Sequence, residues 1–222
     1  MRAEALPARH DLVWLAPGWR GALAAPAAAA TLSAVDAWIS RGRPAVACRR
    51  ERGSPDDVAL GIALPPGGGP RRVSLLVRRE AVARSSSPLT LAEVLPSAPF
   101  GWRAPLTALA RDARAVGLIL RVYGSLAWQH LSGAPFVTER SDADLLAEVR
   151  DAGELRHALS LLDRPAAPEG PPLDGELLLP GGRGVAWREL ARRPARVLVK
   201  SAGTVALERT ADALGPLAEG LS

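Results

Sequence analysis

Strand-like and helix-like stretches are interleaved along this chain without the regular strand–helix–strand spacing of a doubly wound parallel sheet. Short apolar runs at 45–50, 58–64 and 72–79 read as strands, as do 118–123, 141–149, 173–179, 197–200 and 204–207, while 12–15 form a small apolar cluster closed by Pro17-Gly18. Helical spacing is found at 31–40, where Leu32, Val35 and Trp38 share a face, and at 105–116, which Gly117 stops. Shorter helix-like pieces occupy 89–95 and 126–131, and an amphipathic helix ends the chain. Asp151 is placed to cap a helix through Leu162, with Glu154 completing a capping-box-like pair. The pattern predicts an α+β fold.

Irregular stretches divide the chain. Ser85-Ser86-Ser87-Pro88 is one break, and a second spans residues 96–102, where we place a domain boundary. The expectation is a smaller N-terminal α+β domain over 1–97 and a catalytic domain over 98–222. The run Pro65-Pro66-Gly67-Gly68-Gly69-Pro70 lies between two strands with no helix after it, the setting of a hairpin turn rather than a phosphate loop.

Composition removes several chemistries. The single cysteine, Cys48, cannot form an internal disulfide, and with only His10, His130 and His157 it cannot build a thiolate–imidazole zinc site. The only lysine, Lys200, lies in Val199-Lys200-Ser201 without the glycine of a P-loop, and the chain has no asparagine for a kinase catalytic loop. Residues 21–30 form the most apolar early stretch, too short and too alanine-rich to span a bilayer. It also lacks the charge order of a signal peptide, so the chain is expected to be soluble and cytoplasmic, with no membrane partner. The +5 net charge suits nucleic acid, a membrane surface or an acidic substrate equally.

The chemistry-bearing residues lie in the second half. Asp142 and Asp144 are two apart on a predicted strand, so period two puts both carboxylates on one face beside Leu145-Leu146. Like charges held together repel unless a cation joins them, and Mg²⁺ prefers such oxygen ligands together with substrate phosphates. A solvated strand edge is the bland alternative for Asp-x-Asp alone. Upstream, Gly124-Ser125 closes one strand and opens a helix, an arrangement whose free N–H groups hold phosphate. The strand at 173–179 adds Asp174 and Glu176, and a third acid from a neighbouring strand is what a two-metal site needs.

A Gly-Ser helix start, Asp-x-Asp on a strand and an acid on an adjacent strand together resemble the nucleotidyltransferase superfamily typified by DNA polymerase β. RHDLVWL (9–15), GRPAVACRR (42–50) and VYGSLAWQHLSGAPFVTERSDADLL (122–146) resemble a narrower family, as do DGELLLPGGRGVAWREL (174–190) and VLVKS (197–201). It is the holo-acyl-carrier-protein synthase of malonate decarboxylase, or phosphoribosyl-dephospho-CoA transferase. The resemblance covers most of the chain, is most specific after residue 117, and is weak over 16–40 and 80–116. It implies a polymerase-β-type mixed sheet with flanking helices in the C-terminal domain. It also implies a donor, triphosphoribosyl-dephospho-CoA, an apo acyl-carrier subunit of malonate decarboxylase as acceptor, and release of pyrophosphate. Asp142, Asp144 and Glu176 are then expected to hold Mg²⁺, with Glu176 as metal ligand or base, and Gly124, Ser125, Lys200 and Arg121 to bind the triphosphate. Asp174 ranks behind Glu176, because Gly175 between them suggests a bend.

Supporting residues carry two readings each. Lys200 and Arg121 either reach phosphate or are simply solvated, and His130 is a candidate base or an ordinary core or surface histidine. Trp128 and Trp187 fit the core better than a base-stacking platform. Two other functions remain open: a nucleotidyltransferase with another acceptor, and a basic nucleic-acid-binding module. Aromatics make up only 4% of the chain, which speaks against the latter and for no nucleic-acid partner.

Overall fold

A computed structural model describes residues 6–51, 53–65, 72–164 and 169–221. The chain forms two compact units, one of residues 1–88 with 202–204, the other of residues 89–201 with 205–222.

The first unit contains β1 (Leu12–Leu15), α1 (Ala29–Ile39), β2 (Ala45–Ala47), β3 (Val58–Ala63), β4 (Arg72–Val77) and β5 (Val82–Ser86). They make one sheet in the order β4-β3-β2-β1-β5, antiparallel throughout. Period-two burial is clear in β3, where Val58, Leu60 and Ile62 are inside while Ala59, Gly61 and Ala63 are less covered. Cross-strand pairs Val58–Val77, Leu60–Leu75 and Ile62–Val73 carry that apolar face into β4. The two strands expected to form a hairpin are thus paired along their length, and the glycine-rich turn lies outside the described residues. The serine-rich break is different. Ser85 and Ser86 belong to β5 and pair with Val13 and Leu12, because backbone pairing at a sheet edge needs no apolar side chain. Helix α1 buries Val35 and Trp38, whose indole N–H donates to the Pro44 carbonyl at 2.8 Å.

The second unit contains α2 (Leu91–Val94), α3 (Phe100–Ala115), β6 (Leu120–Val122), α4 (Gly124–Ser132), β7 (Ala143–Glu148) and α5 (Ala152–Leu162). It continues with β8 (Leu173–Leu179), β9 (Arg183–Ala186), α6 (Trp187–Ala191), β10 (Arg196–Lys200), β11 (Val205–Arg209) and α7 (Thr210–Leu214). Its six-stranded sheet runs β11-β10-β9-β8-β7-β6 and is mixed, for β7 and β8 are parallel and the other neighbours antiparallel. Helix α5 makes the crossover that a parallel pair requires. The protein is therefore α+β, with one antiparallel and one mixed sheet. Among the described residues no helix is long and apolar enough to cross a membrane.

Alternate residues Leu145 and Ala147 of β7, Leu177 and Leu179 of β8, and Val197 and Val199 of β10 enter one core with Leu106, Leu109, Leu155, Ala158 and Leu190 from the helices. At roughly 1.5–3 kcal/mol per fully buried leucine, this face holds the sheet to its helices and leaves the other face for chemistry.

Three local differences from the sequence expectations have physical causes. The division between units falls at Pro88/Leu89 rather than at 97/98, since Leu91, Val94 and Ala98 are buried in the second core. A Thr90–Glu93 capping box starts α2 there, and Val122 N–H donates to the Leu89 carbonyl at 2.8 Å. Helix α3 begins at Phe100 and carries Pro105 inside it, whereas proline had suggested a start at 105. Residues 183–191, where the sequence suggests no element, form β9 and α6. Their four- and five-residue lengths are too short for a periodic signal. At α5, Asp151 caps as expected, accepting from Glu154 N–H at 2.8 Å. The Glu154 carboxylate reaches back one residue further, to Arg150 N–H at 2.8 Å and to its guanidinium.

Candidate active site

The Gly-Ser turn and the Asp-x-Asp strand meet at one point. Gly124 opens α4 with φ +68°, a left-handed conformation that favours glycine, and a Cβ added there would overlap the Asp144 carboxylate. Tyr123 N–H donates to the Asp144 carbonyl at 3.1 Å, fixing the end of β6 to β7. Its N-cap residue, Tyr123, makes no side-chain cap and its first turn holds no acid, so the positive end of the helix faces the Asp144 carboxylate. Ser125 follows as its second residue.

Asp142, just before β7, and Asp144, within it, are joined by Asp174 of β8. One carboxylate oxygen from each lies within 4.8 Å of the others, and all three residues are half-buried. The parallel register sets Asp144 directly opposite Asp174. Gly175 makes this closeness possible. It sits at φ +138°, and a Cβ there would overlap the Leu145 carbonyl and backbone nitrogen. Like charges so near one another repel, and an all-carboxylate set suits a hard ion such as Mg²⁺, so the residues fit the metal that the sequence implied.

Glu176, expected as the third acid, is engaged otherwise. It is 4% exposed, and its carboxylate accepts from Lys200 Nζ at 2.9 Å. Register places Arg121, Leu146, Glu176 and Ala186 in one row across β6, β7, β8 and β9. Arg121 and Lys200 therefore share the acid-bearing face of the sheet, with Lys200 reaching Glu176 from β10. The remaining candidates are structural in their contacts. His130 Nδ1 is 3.0 Å from Ser97 Oγ, and Gln129 donates to the Ser97 carbonyl while accepting from Phe136 and Val137 N–H. Trp187 is in the core, and Trp128 is half-buried.

Sequence reasoning missed Arg188 of α6. Its Nε–H donates to the Leu173 carbonyl at 3.0 Å, a second guanidinium N–H shares that acceptor, and Nε stands 3.6 Å from the Asp174 carboxylate. The short α6 gave no pattern that could have singled it out.

Residues 90–211 match the family model described as the phosphoribosyl-dephospho-CoA transferase MdcG C-terminal domain, and residues 8–88 match the MdcG N-terminal domain. The chain belongs to the phosphoribosyl-dephospho-CoA transferase family. A phosphoribosyl-dephospho-CoA transferase from Xanthomonas campestris pv. campestris (strain 8004) is 40% identical over 208 residues, covering 91% of this chain and 95% of that protein. One from Bradyrhizobium diazoefficiens is 39% identical over 204 residues, covering 90% and 89%. Another, from Azotobacter vinelandii, is 35% identical over 207 residues, covering 88% and 90%. No solved structure matches the chain. The family's C-terminal domain spans every residue of the acid cluster and of the α4 N-terminus.

Proposed function

We propose that the protein transfers the phosphoribosyl-dephospho-CoA group from 2′-(5″-triphosphoribosyl)-3′-dephospho-CoA to a serine hydroxyl on the apo acyl-carrier subunit of malonate decarboxylase. Family membership supports the transferred group. The observation that carries the chemistry is the cluster of Asp142, Asp144 and Asp174 beside the N-terminus of α4.

In this reading the serine oxygen attacks the phosphorus nearest the ribose. The bond from that phosphorus to the bridging oxygen breaks, and pyrophosphate leaves. The hydroxyl proton passes to a carboxylate on the acid-bearing face. Asp142, Asp144 and Asp174 would hold Mg²⁺, which would supply positive charge to offset that of the triphosphate and the departing pyrophosphate. Gly124 and Ser125 give the phosphates backbone N–H groups and a hydroxyl at a positive helix end. Glu176 fixes Lys200 on the same sheet face, so that its charge is oriented rather than mobile.

The test is mass spectrometry of apo carrier protein after incubation with the donor and Mg²⁺. The expected result is one added phosphoribosyl-dephospho-CoA on the serine and free pyrophosphate in solution. An unmodified carrier sinks the proposal, and transfer of label from radiolabelled ATP instead assigns a nucleotidyltransferase with another donor.

A further inference from the structure

The acid cluster creates an electrostatic demand that its own residues do not meet. Three carboxylates converge within 4.8 Å, and a triphosphate donor brings several more negative charges than one or two divalent cations remove. Lys200 is committed to Glu176 at 2.9 Å. Arg121 shares that face of the sheet, and α6 supplies a further cation beside Asp174.

Arg188 is fixed there by its contacts. Two of its N–H groups, including Nε–H at 3.0 Å, are spent on the Leu173 carbonyl, the residue just before Asp174. Nε is 3.6 Å from Asp174 Oδ1, and the guanidinium lies 5.0 Å from the centroid of the Trp187 ring. The buried Trp187, 4% exposed, gives the planar group a rigid neighbour. A guanidinium has five N–H donors, so three remain after the Leu173 carbonyl is served. Among the described residues those three have no hydrogen-bond acceptor, and the side chain is half exposed. The result is a cation that is held at one edge and open at the other, next to the residues that grip the metal.

We infer that Arg188 is a donor-binding residue, whose outward N–H groups take a phosphate oxygen of the triphosphate bound at the Asp142–Asp144–Asp174 cluster. The inference rests on the triphosphate-site reading above. Guanidinium suits this task better than ammonium, since its fork meets two phosphate oxygens at once while its other edge stays on the Leu173 carbonyl.

The test uses inorganic tripolyphosphate as the probe, measured calorimetrically on the full chain with Mg²⁺, alongside Mn²⁺ binding followed by electron paramagnetic resonance. The variants are Arg188→Ala and Arg188→Gln, the latter retaining a donor for the Leu173 carbonyl so that β8 stays anchored. Loss of hydrogen bonds to a charged group predicts about 10- to 100-fold weaker tripolyphosphate binding in both variants, with Mn²⁺ affinity equal to the parent's or higher, since a positive charge beside Asp174 is removed. Tripolyphosphate binding unchanged by either substitution overturns the inference. A parallel loss of Mn²⁺ in Arg188→Gln also overturns it, for Arg188 then acts only by placing Asp174. If the parent protein shows no Mg²⁺-dependent tripolyphosphate binding, the triphosphate site itself fails and the inference goes with it.

Discussion

The place a Cβ would take on Gly124 is filled by the carboxylate of Asp144. The two residues come from different motifs, a strand-to-helix turn and a strand, and the absent side chain of one is what lets the other stand beside the N-terminus of α4. The Gly-Ser helix start and the Asp-x-Asp strand thereby become neighbours.

Gly124→Ala is expected to abolish transfer while leaving the bulk fold intact. The left-handed conformation costs a non-glycine residue about 1–2 kcal/mol, and the new methyl must also displace Asp144. Carrier modification should fall by about two orders of magnitude or more, beyond the roughly 10–100-fold typical of outer-shell changes near a metal. A variant with full activity and an unchanged far-UV spectrum contradicts the close approach.

Asp142→Asn, Asp144→Asn and Asp174→Asn should each lose Mn²⁺ binding and transfer together. Relief of like-charge repulsion should leave their thermal stability equal to the parent's or higher. Any one of the three that binds Mn²⁺ normally does not belong to the metal set. Direct metal titration reads this without the donor.

Glu176 and Lys200 should behave as one unit. Breaking a buried pair by removing one partner costs about 3–5 kcal/mol, and the cost here is smaller because Lys200 is 34% exposed. Lys200→Met alone is expected to lower the melting temperature more than the double change Glu176→Gln with Lys200→Met. Additive effects in that double-mutant cycle contradict the pairing.

Acid should loosen the start of α5. Hydrogen bonds from the Arg150 guanidinium hold the Glu154 carboxyl below its ordinary value, outweighing the opposing effect of burial, and the Arg150 backbone N–H adds to the lowering. A folded-state value below the unfolded one means that the stabilisation is present above the ordinary carboxylate range and fades as pH falls through the lowered value. The melting-temperature gap between the parent and Glu154→Gln should accordingly exist at neutral pH and close in acid. A gap that is constant with pH rules out the ionised carboxylate as its source.

Gly175→Ala is expected to disrupt the pairing of β7 with β8. Its Cβ would overlap the Leu145 backbone, which cannot swing aside as a side chain can. Poor recovery of soluble protein, or a markedly lowered melting temperature, is the outcome to look for. A variant of normal stability shows that β8 can shift, and with it Asp174.

Much of the second unit was legible because periodicity and punctuation act locally. The run 173–179 is β8 residue for residue, and Asp151 caps α5, since a strand's alternation and a helix's first hydrogen bonds depend on near neighbours. Elements whose formation depends on partners were not legible. The β5 serines are strand because β1 lies alongside, and β9 and α6 are too short to show a period. The same divide runs through the acid-bearing face: the spacing shows Asp142 and Asp144 as a pair and Gly124-Ser125 as a turn, whereas it does not show which of Asp174 and Glu176 lies nearest them.

The sequence by itself determined the fold class, the Gly-Ser helix start and the paired aspartates, because each follows from spacing along a few residues. Only the tertiary structure decided that Asp174 completes the carboxylate cluster, that Glu176 holds Lys200, and that Arg188 stands at the rim. Those outcomes depend on the register between β7 and β8 and on where α6 returns to the sheet. Register and return path are set by how the whole core packs, and no local stretch of chain encodes either.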